Sequence, residues 1–139
     1  MDTKFSAAVH ILILISESST PTTSEQMAAS VGANASYIRK ILALLKKAGI
    51  IDGRRGVSGH TLTSPPEKIS LLAVYQAVTE QAEISLLDMH QNPSDRCIVG
   101  RHIRPVLADM FADAAQAFAH SLSSKTLADC IDNIRKRID

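Results

Sequence analysis

The sequence predicts a mainly α-helical protein with one small β-hairpin. Apolar residues recur at helical spacing through most of the chain, capping residues precede several of these segments, and the period changes only once. Six glycines and five prolines are too few for a turn-rich all-β fold. A chain of 139 residues corresponds to about one domain and buries enough surface to fold without a disulfide or a structural metal.

Two helices are predicted at the start of the chain. An apolar stripe covers most of the circumference of residues 4–17, which indicates a largely buried helix. Thr22 or Thr23 can cap a short helix over about residues 24–31, because a Glu or Gln follows three positions later. Gly32 then stands where a left-handed C-cap residue is expected.

The next helix is amphipathic, and the only break in helical periodicity follows it. Asn34 is a favourable N-cap for a helix over about residues 35–48, where apolar residues approach i, i+3, i+4, i+7 spacing. Short segments at 50–54 and 60–63, joined by a glycine-containing turn, predict a β-hairpin. Two helices joined by a tight turn and followed by a hairpin are the elements of a winged helix-turn-helix domain.

A long helix with a sustained apolar stripe is predicted from Ile103 onwards. Pro105 would lie near its first turn, where proline is tolerated, and Thr126 caps a last helix over about residues 127–137. The stripe keeps a/d-type spacing over nearly three heptads, which is typical of a dimer seam, although a core helix within one protomer would show the same pattern. The predicted seam residues are Ile103, Val106, Leu107, Met110, Phe111, Ala114 and Phe118.

Between these two regions the pattern is weaker. Ser70 can cap a helix over about residues 71–80, and a short helical turn further on is predicted to contain Cys97. The predicted division of the chain is a winged helix-turn-helix domain at 1–80, a linker and candidate sensor segment at 81–102, and a dimerisation helix with a C-terminal helix at 103–139.

Positive charge is concentrated in one stretch of the chain. Residues 39–68 contain seven basic and two acidic side chains, a balance of +5, whereas the whole chain has a net charge of +1. A basic stretch of this kind suggests an anionic partner, although a merely solvated Lys/Arg face would give the same count. Aromatic residues make up only 4% and tryptophan is absent, which disfavours stacking platforms for single-stranded nucleic acid.

The predicted contacts with double-stranded DNA lie on the helix at 35–48 and on the hairpin. A major groove about 12 Å wide admits one α-helix, and recognition helices place their N-terminal residues against bases and phosphates. An arginine on a thin ribbon can enter a narrow, electronegative minor groove. For Tyr37, packing of the ring under the hairpin is an alternative to a phosphate contact. The predicted DNA-binding residues are Asn34, Ser36, Tyr37, Arg39, Lys40, Arg54, Arg55, Ser58 and His60.

Five short segments show a family pattern. They are KFSAAVH at 4–10, GANASYI at 32–38, LKKAGII at 45–51, RGVSG at 55–59 and PPEKISL at 65–71. Together they resemble the Rrf2 family of bacterial transcription regulators, of the IscR, NsrR and CymR type, over nearly the whole chain. The resemblance implies a homodimeric winged-helix DNA-binding protein whose long helix crosses between subunits.

The resemblance also implies roles for individual residues. Asn34 and Ser36 match serine-type positions that contact DNA, Tyr37 matches a tyrosine at the start of the recognition helix, and Arg55 matches the arginine that enters the minor groove. Two departures affect base preference and the hairpin. Arg39 stands where the iron–sulfur branch of the family has an acidic residue, and His60-Thr61 replaces a Gly-Tyr pair.

The candidate sensor segment departs furthest from the cluster-binding branch of that family. That branch has three cysteines there, whereas Cys97 is the only cysteine of residues 84–105. A 2Fe–2S cluster needs four ligands, so the chain resembles the clusterless branch, and no cofactor or metal is expected. Cys97 is a candidate thiol sensor because Arg96 and Arg101 would favour its thiolate, with an ordinary half-buried cysteine as the alternative.

These observations predict a dimeric, sequence-specific DNA-binding regulator that acts as a repressor. The alternative is a winged helix that docks on another protein, although Val57 is the only apolar residue at the hairpin tip. No Cys–His–acid order points to an enzyme. The N-terminus shows no signal peptide and the longest apolar run is too short to span a bilayer, so a cytoplasmic protein without a membrane partner is expected. The sequence does not identify an effector.

Overall fold

Three N-terminal helices share one apolar core in the computed structural model, which describes residues 2–53 and 59–138. Ala8, Ile11 and Leu12 of the first helix are completely buried, which agrees with the wide apolar stripe in its sequence. The third helix buries only one face, which includes Ile38 and Ile41. The helices are α1 (Lys4–Glu17), α2 (Ser24–Val31) and α3 (Ala35–Lys47).

Side-chain caps determine where α2 and α3 begin. Thr23, rather than Thr22, caps α2: its hydroxyl accepts a hydrogen bond from the Gln26 N–H at 3.1 Å, and the Gln26 side chain accepts one from the Thr23 N–H at 2.9 Å. Asn34 caps α3, because its Oδ1 accepts a hydrogen bond from the Tyr37 N–H at 2.8 Å. Between the caps, Gly32 has a φ of 80°, which glycine adopts at no steric cost.

A two-stranded antiparallel hairpin follows α3, as predicted, with strands β1 (Ile51–Gly53) and β2 (His60–Leu62). Its base packs on the loop between α1 and α2. Gly59 has a φ of 111°, and a methyl group added there would lie 2.6 Å from Cβ of Pro21, so only glycine fits this contact. The tip at 54–58, with the predicted DNA-binding residues Arg54, Arg55 and Ser58, lies outside the described residues.

The long helix begins earlier than predicted. Its observed bounds are Ile98–Ser123 (α5), so Pro105 lies inside the helix instead of near its first turn. Proline removes one backbone donor and crowds the carbonyl four residues before it, which belongs to Arg101. Both residues are exposed, so water can solvate that carbonyl and the helix continues through the proline. Cys97 is the N-cap of α5 and not part of a separate helical turn, and its carbonyl accepts a hydrogen bond from the Arg101 N–H at 2.9 Å.

The helices before and after α5 are tied together at their starts. The helix α4 (Leu71–Thr79) follows a cap by Ser70, as predicted, and α6 (Leu127–Ile138) follows Thr126. The Leu71 N–H donates to the Lys125 carbonyl and the Leu127 N–H donates to the Ile69 carbonyl, each at 2.9 Å. Leu127 and Ile131 of α6 consequently join the core formed by α1 and α3. Within residues 2–53 and 59–138, no helix is both long and apolar enough to cross a membrane.

Candidate nucleic-acid interface

The N-terminal turns of α3 present a polar surface to solvent. Ile38 on the opposite side is completely buried, so the helix is held on the core by one face while the other makes no core contacts. This is the way a recognition helix is presented to a major groove. The structure brings together on this exposed face four of the residues that the sequence selected: Asn34, Ser36, Arg39 and Lys40.

Asn34 and Tyr37 are engaged in contacts within the protein. The Asn34 Oδ1 accepts the N-cap hydrogen bond from the Tyr37 N–H, so this oxygen has a structural role. The Tyr37 ring packs against the hydrophobic core, and its hydroxyl lies 3.0 Å from the hydroxyl of Thr3, just before α1. The ring of Tyr37 therefore contributes to packing, and the residue as a whole is half-buried.

Arg39 forms an ion pair across the turn between α2 and α3. Its Nη1 lies 3.6 Å from Oε1 of Glu25, in the first turn of α2. Sequence reasoning treated Glu25 only as a capping partner and did not identify Thr3 at all. Each contact joins residues of different elements, so helical spacing does not reveal it. An acidic residue at the start of α2 is the only signal in the sequence.

His60 lies at the start of β2 and is half-buried. Its Nδ1 is enclosed and has no hydrogen-bond partner among residues 2–53 and 59–138. Burial lowers the pKa of His60 below its ordinary value of 6.5, and the positive charge of Lys46 lowers it further. A lowered pKa favours the neutral imidazole near pH 7, and among the described residues Lys46 is the cation that acts on it.

The predicted seam residues lie along α5. Some of them are exposed, and others pack against further described residues of the same chain. Val106 and Met110 are 49% and 63% exposed. Phe118, by contrast, packs edge-on against Tyr75 of α4, with ring centroids 5.2 Å apart. Phe118, at the C-terminal end of the predicted seam, thus contributes to packing within the protomer, whereas Val106 and Met110 form an exposed apolar surface. Of the remaining seam residues, Ala114 is exposed and the half-buried ones are Ile103, Leu107 and Phe111.

This combination of a capped recognition helix, a hairpin and a long C-terminal helix coincides with a known family. Residues 1–133 match the Rrf2 family of iron-dependent transcriptional regulators. The chain belongs to the Rrf2 family. It is a DNA-binding transcription regulator with a winged-helix fold, and neither its family nor its relatives are enzymes.

Individual Rrf2-type relatives resemble the chain over nearly its full length. It is 40% identical over 134 residues to YwnA of Bacillus subtilis (strain 168), named provisionally as an HTH-type transcriptional regulator; the match covers 96% of this chain and 98% of YwnA. A crystal structure named provisionally as that of a DNA binding protein is 38% identical, with a TM-score of 0.75, covering 92% of this chain and 98% of the other. CymR, the global cysteine regulator of B. subtilis, shares the fold at 20% identity with a TM-score of 0.69, covering 95% of each chain.

The iron that the family description implies has no matching ligand set in the described part of this Rrf2 chain. Residues 2–53 and 59–138 contain no group of three or more His, Cys, Asp and Glu side chains placed to hold a metal ion. Cys97, the only cysteine of the candidate sensor segment, is exposed at the start of α5, and Cys130 is half-buried on α6. An iron–sulfur cluster needs four ligands, so these residues do not fit one.

Cys97 has the environment of a reactive thiol, but for a different reason from the one predicted. The backbone N–H groups of Gly100 and Val99, at the start of α5, lower the pKa of Cys97. Arg101, which was predicted to favour the thiolate, is not among the causes of this shift, and its Nε donates to the Asp95 carbonyl at 3.0 Å. Burial raises the pKa of Cys130, so the pKa values of the two thiols of this Rrf2 regulator are shifted in opposite directions.

Proposed function

We propose that this Rrf2 protein is a homodimeric repressor that reads a specific DNA sequence. The observation that supports the proposal most directly is the exposed polar face of α3, held at a defined angle by the Asn34 cap and the buried Ile38. In a major groove this face brings Ser36 and Arg39 to the base edges and Lys40 to a phosphate. Sequence discrimination then comes from the base contacts, and salt-dependent affinity comes from the phosphate contacts.

The hairpin provides the second proposed contact with DNA. The base of the hairpin packs at Gly59 against Pro21, in the loop before α2. Arg55 at the tip enters the adjacent minor groove, where the negative potential favours a guanidinium group. We expect Arg55→Ala to weaken operator binding by about 1–3 kcal/mol, with little change in the melting temperature of the protein.

Dimerisation places two recognition helices on one operator. Val106 and Met110 offer an apolar surface on α5 that a second copy of the same helix can cover across a two-fold axis. Two half-sites about one turn of DNA apart, roughly 34 Å, then match the two-fold symmetry of the protein. The operator is accordingly expected to be an inverted repeat.

Cys97 is the residue we propose for redox control of this binding. It is exposed, its pKa is lowered, and it lies at the start of the helix that forms the proposed seam. A peroxide would convert its thiolate to a sulfenic acid while the peroxide is reduced to water or an alcohol. The exposed position makes the thiol accessible to that reaction without any opening of the fold.

Selection from a library of random DNA duplexes tests the proposed function, because it can recover an operator of any sequence. We expect the protein to enrich an inverted repeat, and fluorescence anisotropy to show tighter binding to that duplex than to a scrambled one, with both affinities falling between about 50 mM and 200 mM salt. A promoter carrying the selected repeat should then be repressed. Failure to enrich any sequence, with no binding at low salt, would instead support a winged helix that docks on a protein.

A further inference from the structure

The ion pair between Glu25 and Arg39 lies at the edge of the proposed DNA-reading face. Nη1 of Arg39 and Oε1 of Glu25 are 3.6 Å apart, and the two side chains are 72% (Glu25) and 59% (Arg39) exposed. Arg39 belongs to the second turn of α3, and Glu25 belongs to the first turn of α2. A base-reading residue of one helix is therefore held by a carboxylate of the other.

The position of Glu25 gives this carboxylate an effect on DNA as well as on the protein. The N-terminus of a helix is favourable for a phosphate, because its free N–H groups point outwards. In α2 a carboxylate already occupies the first turn. Glu25 consequently disfavours a DNA phosphate at this point, and it also neutralises the guanidinium group that would otherwise attract one.

Arg39 retains donors for a base while it is paired. A guanidinium group has five N–H donors in a fixed plane, and two of them suffice for the O6 and N7 acceptors of a guanine. The 3.6 Å contact is exposed, and such pairs shift an equilibrium by no more than about fivefold. Glu25 can therefore orient Arg39 without preventing a contact with a base.

We infer that Glu25 is a positioning residue for sequence specificity, which holds Arg39 for a base edge and withholds it from phosphates of non-operator DNA. The inference rests on the proposed function, and it concerns the ratio of specific to non-specific affinity. On the operator, Arg39 is satisfied by a base and Glu25 changes the affinity little. On other DNA, Glu25 removes one phosphate contact.

The test is Glu25→Gln, measured by anisotropy on the selected operator and on a scrambled duplex. Affinity for the scrambled duplex should rise about fivefold at about 0.15 M salt, because releasing one further counterion scales affinity as salt concentration to the power of about −0.9. The operator affinity should change by less than about twofold, so the ratio falls. The salt slope on scrambled DNA should steepen by about 0.9, a change that a merely structural role for Glu25 would not produce.

A matched control is available at the far end of α1. The two carboxylate oxygens of Glu17 lie 2.8 Å and 3.0 Å from Nη2 of Arg135. Glu17→Gln therefore removes the same charge from another surface Glu–Arg pair. The hydroxyl of Tyr37 meets Thr3 before the start of α1, so the α3 face lies near the opposite end of that 14-residue helix. Glu17→Gln should change the affinities for the operator and for the scrambled duplex by the same factor, so the ratio of the two affinities stays unchanged.

A double-mutant cycle with Arg39→Gln separates the inference from its competitors. In the Arg39→Gln background, Glu25→Gln should no longer change the ratio. If Glu25→Gln lowers the ratio of specific to non-specific affinity as much in the Arg39→Gln background as in the unaltered protein, Glu25 acts on phosphates directly and the inference is wrong. An unchanged ratio in the Glu25→Gln single variant would also overturn the inference. If the unaltered protein discriminates but Glu25→Gln behaves like Glu17→Gln, the inference fails alone; if the unaltered protein enriches no sequence, the proposed function fails and the inference with it.

Discussion

Replacing Met110 by Asp should separate the two subunits of the proposed dimer without unfolding either. Met110 is 63% exposed as a residue, so the protomer hardly depends on its side chain. Surface changes of this kind alter the free energy of unfolding by about 0.5 kcal/mol or less. In a two-fold symmetric seam, however, the same residue is covered in both subunits, and each substitution acts twice.

The size of the effect follows from the exposed fraction. Burying a whole methionine side chain contributes about 1.5–3 kcal/mol, so covering the 63% of Met110 that is exposed contributes about 1–2 kcal/mol per subunit. The dimer therefore loses about 2–4 kcal/mol, which raises its dissociation constant about 30- to 1000-fold. The two unpaired carboxylates that would have to be desolvated in the seam increase this loss.

Sedimentation equilibrium over a range of protein concentrations measures this change. The matched control is Ala108→Asp on the same helix. Ala108 is exposed, and it lies two residues from both Val106 and Met110, a spacing that turns it away from their face. If Met110→Asp leaves the dimer dissociation constant unchanged, or if Ala108→Asp raises it as much as Met110→Asp does, the seam does not contain Val106 and Met110.

Three further predictions concern single side chains. Asn34→Ala should lower the free energy of unfolding by about 1 kcal/mol through loss of the α3 cap, whereas Asn34→Ser, which can also cap, should lower it less; chemical denaturation distinguishes them. Cys97 should be alkylated by iodoacetamide faster than Cys130 near neutral pH, because its pKa is lowered while that of Cys130 is raised, and equal rates by mass spectrometry would contradict this. The lowered pKa of His60 means that the unfolded chain binds its proton more strongly, so stability should fall as the pH drops below 6.5; melting curves at about pH 7.5 and 5.5 should show a smaller loss for His60→Asn than for the unaltered protein.

The order and type of the elements in the N-terminal half followed from local chemistry. Caps, a left-handed glycine and apolar spacing act within one or two helical turns, so Asn34, Gly32 and the stripe of α3 are readable without any tertiary information. The same holds for the change of period at the hairpin. Three of the five short motifs that resemble the Rrf2 family, at 4–10, 32–38 and 45–51, lie on these elements or at their ends. The fold class and the family were therefore both predicted from the sequence, and both are confirmed.

The start of α5 was predicted wrongly because a local rule was applied to a residue whose surroundings decide the outcome. Proline favours the first turn of a helix, and Pro105 therefore suggested a start near Ile103. In the structure the helix begins at Ile98, and Arg101 and Pro105 are both exposed residues, so water has access to the surface where the proline crowds the helix. Whether a helix continues through a proline depends on what surrounds the crowded carbonyl, and the sequence alone does not contain this information.

The order of the N-terminal elements, their approximate bounds and the polar face of α3 can all be read from local sequence patterns. The contacts between separate segments could not be read in this way and became visible only in the folded chain: Glu25 with Arg39, Thr3 with Tyr37, and Phe118 with Tyr75. The tertiary structure also decided that backbone N–H groups, and not the neighbouring arginines, lower the pKa of Cys97. The physical reason is range: capping and periodicity act between residues a few positions apart, whereas these contacts depend on how separate elements pack, which no local spacing records.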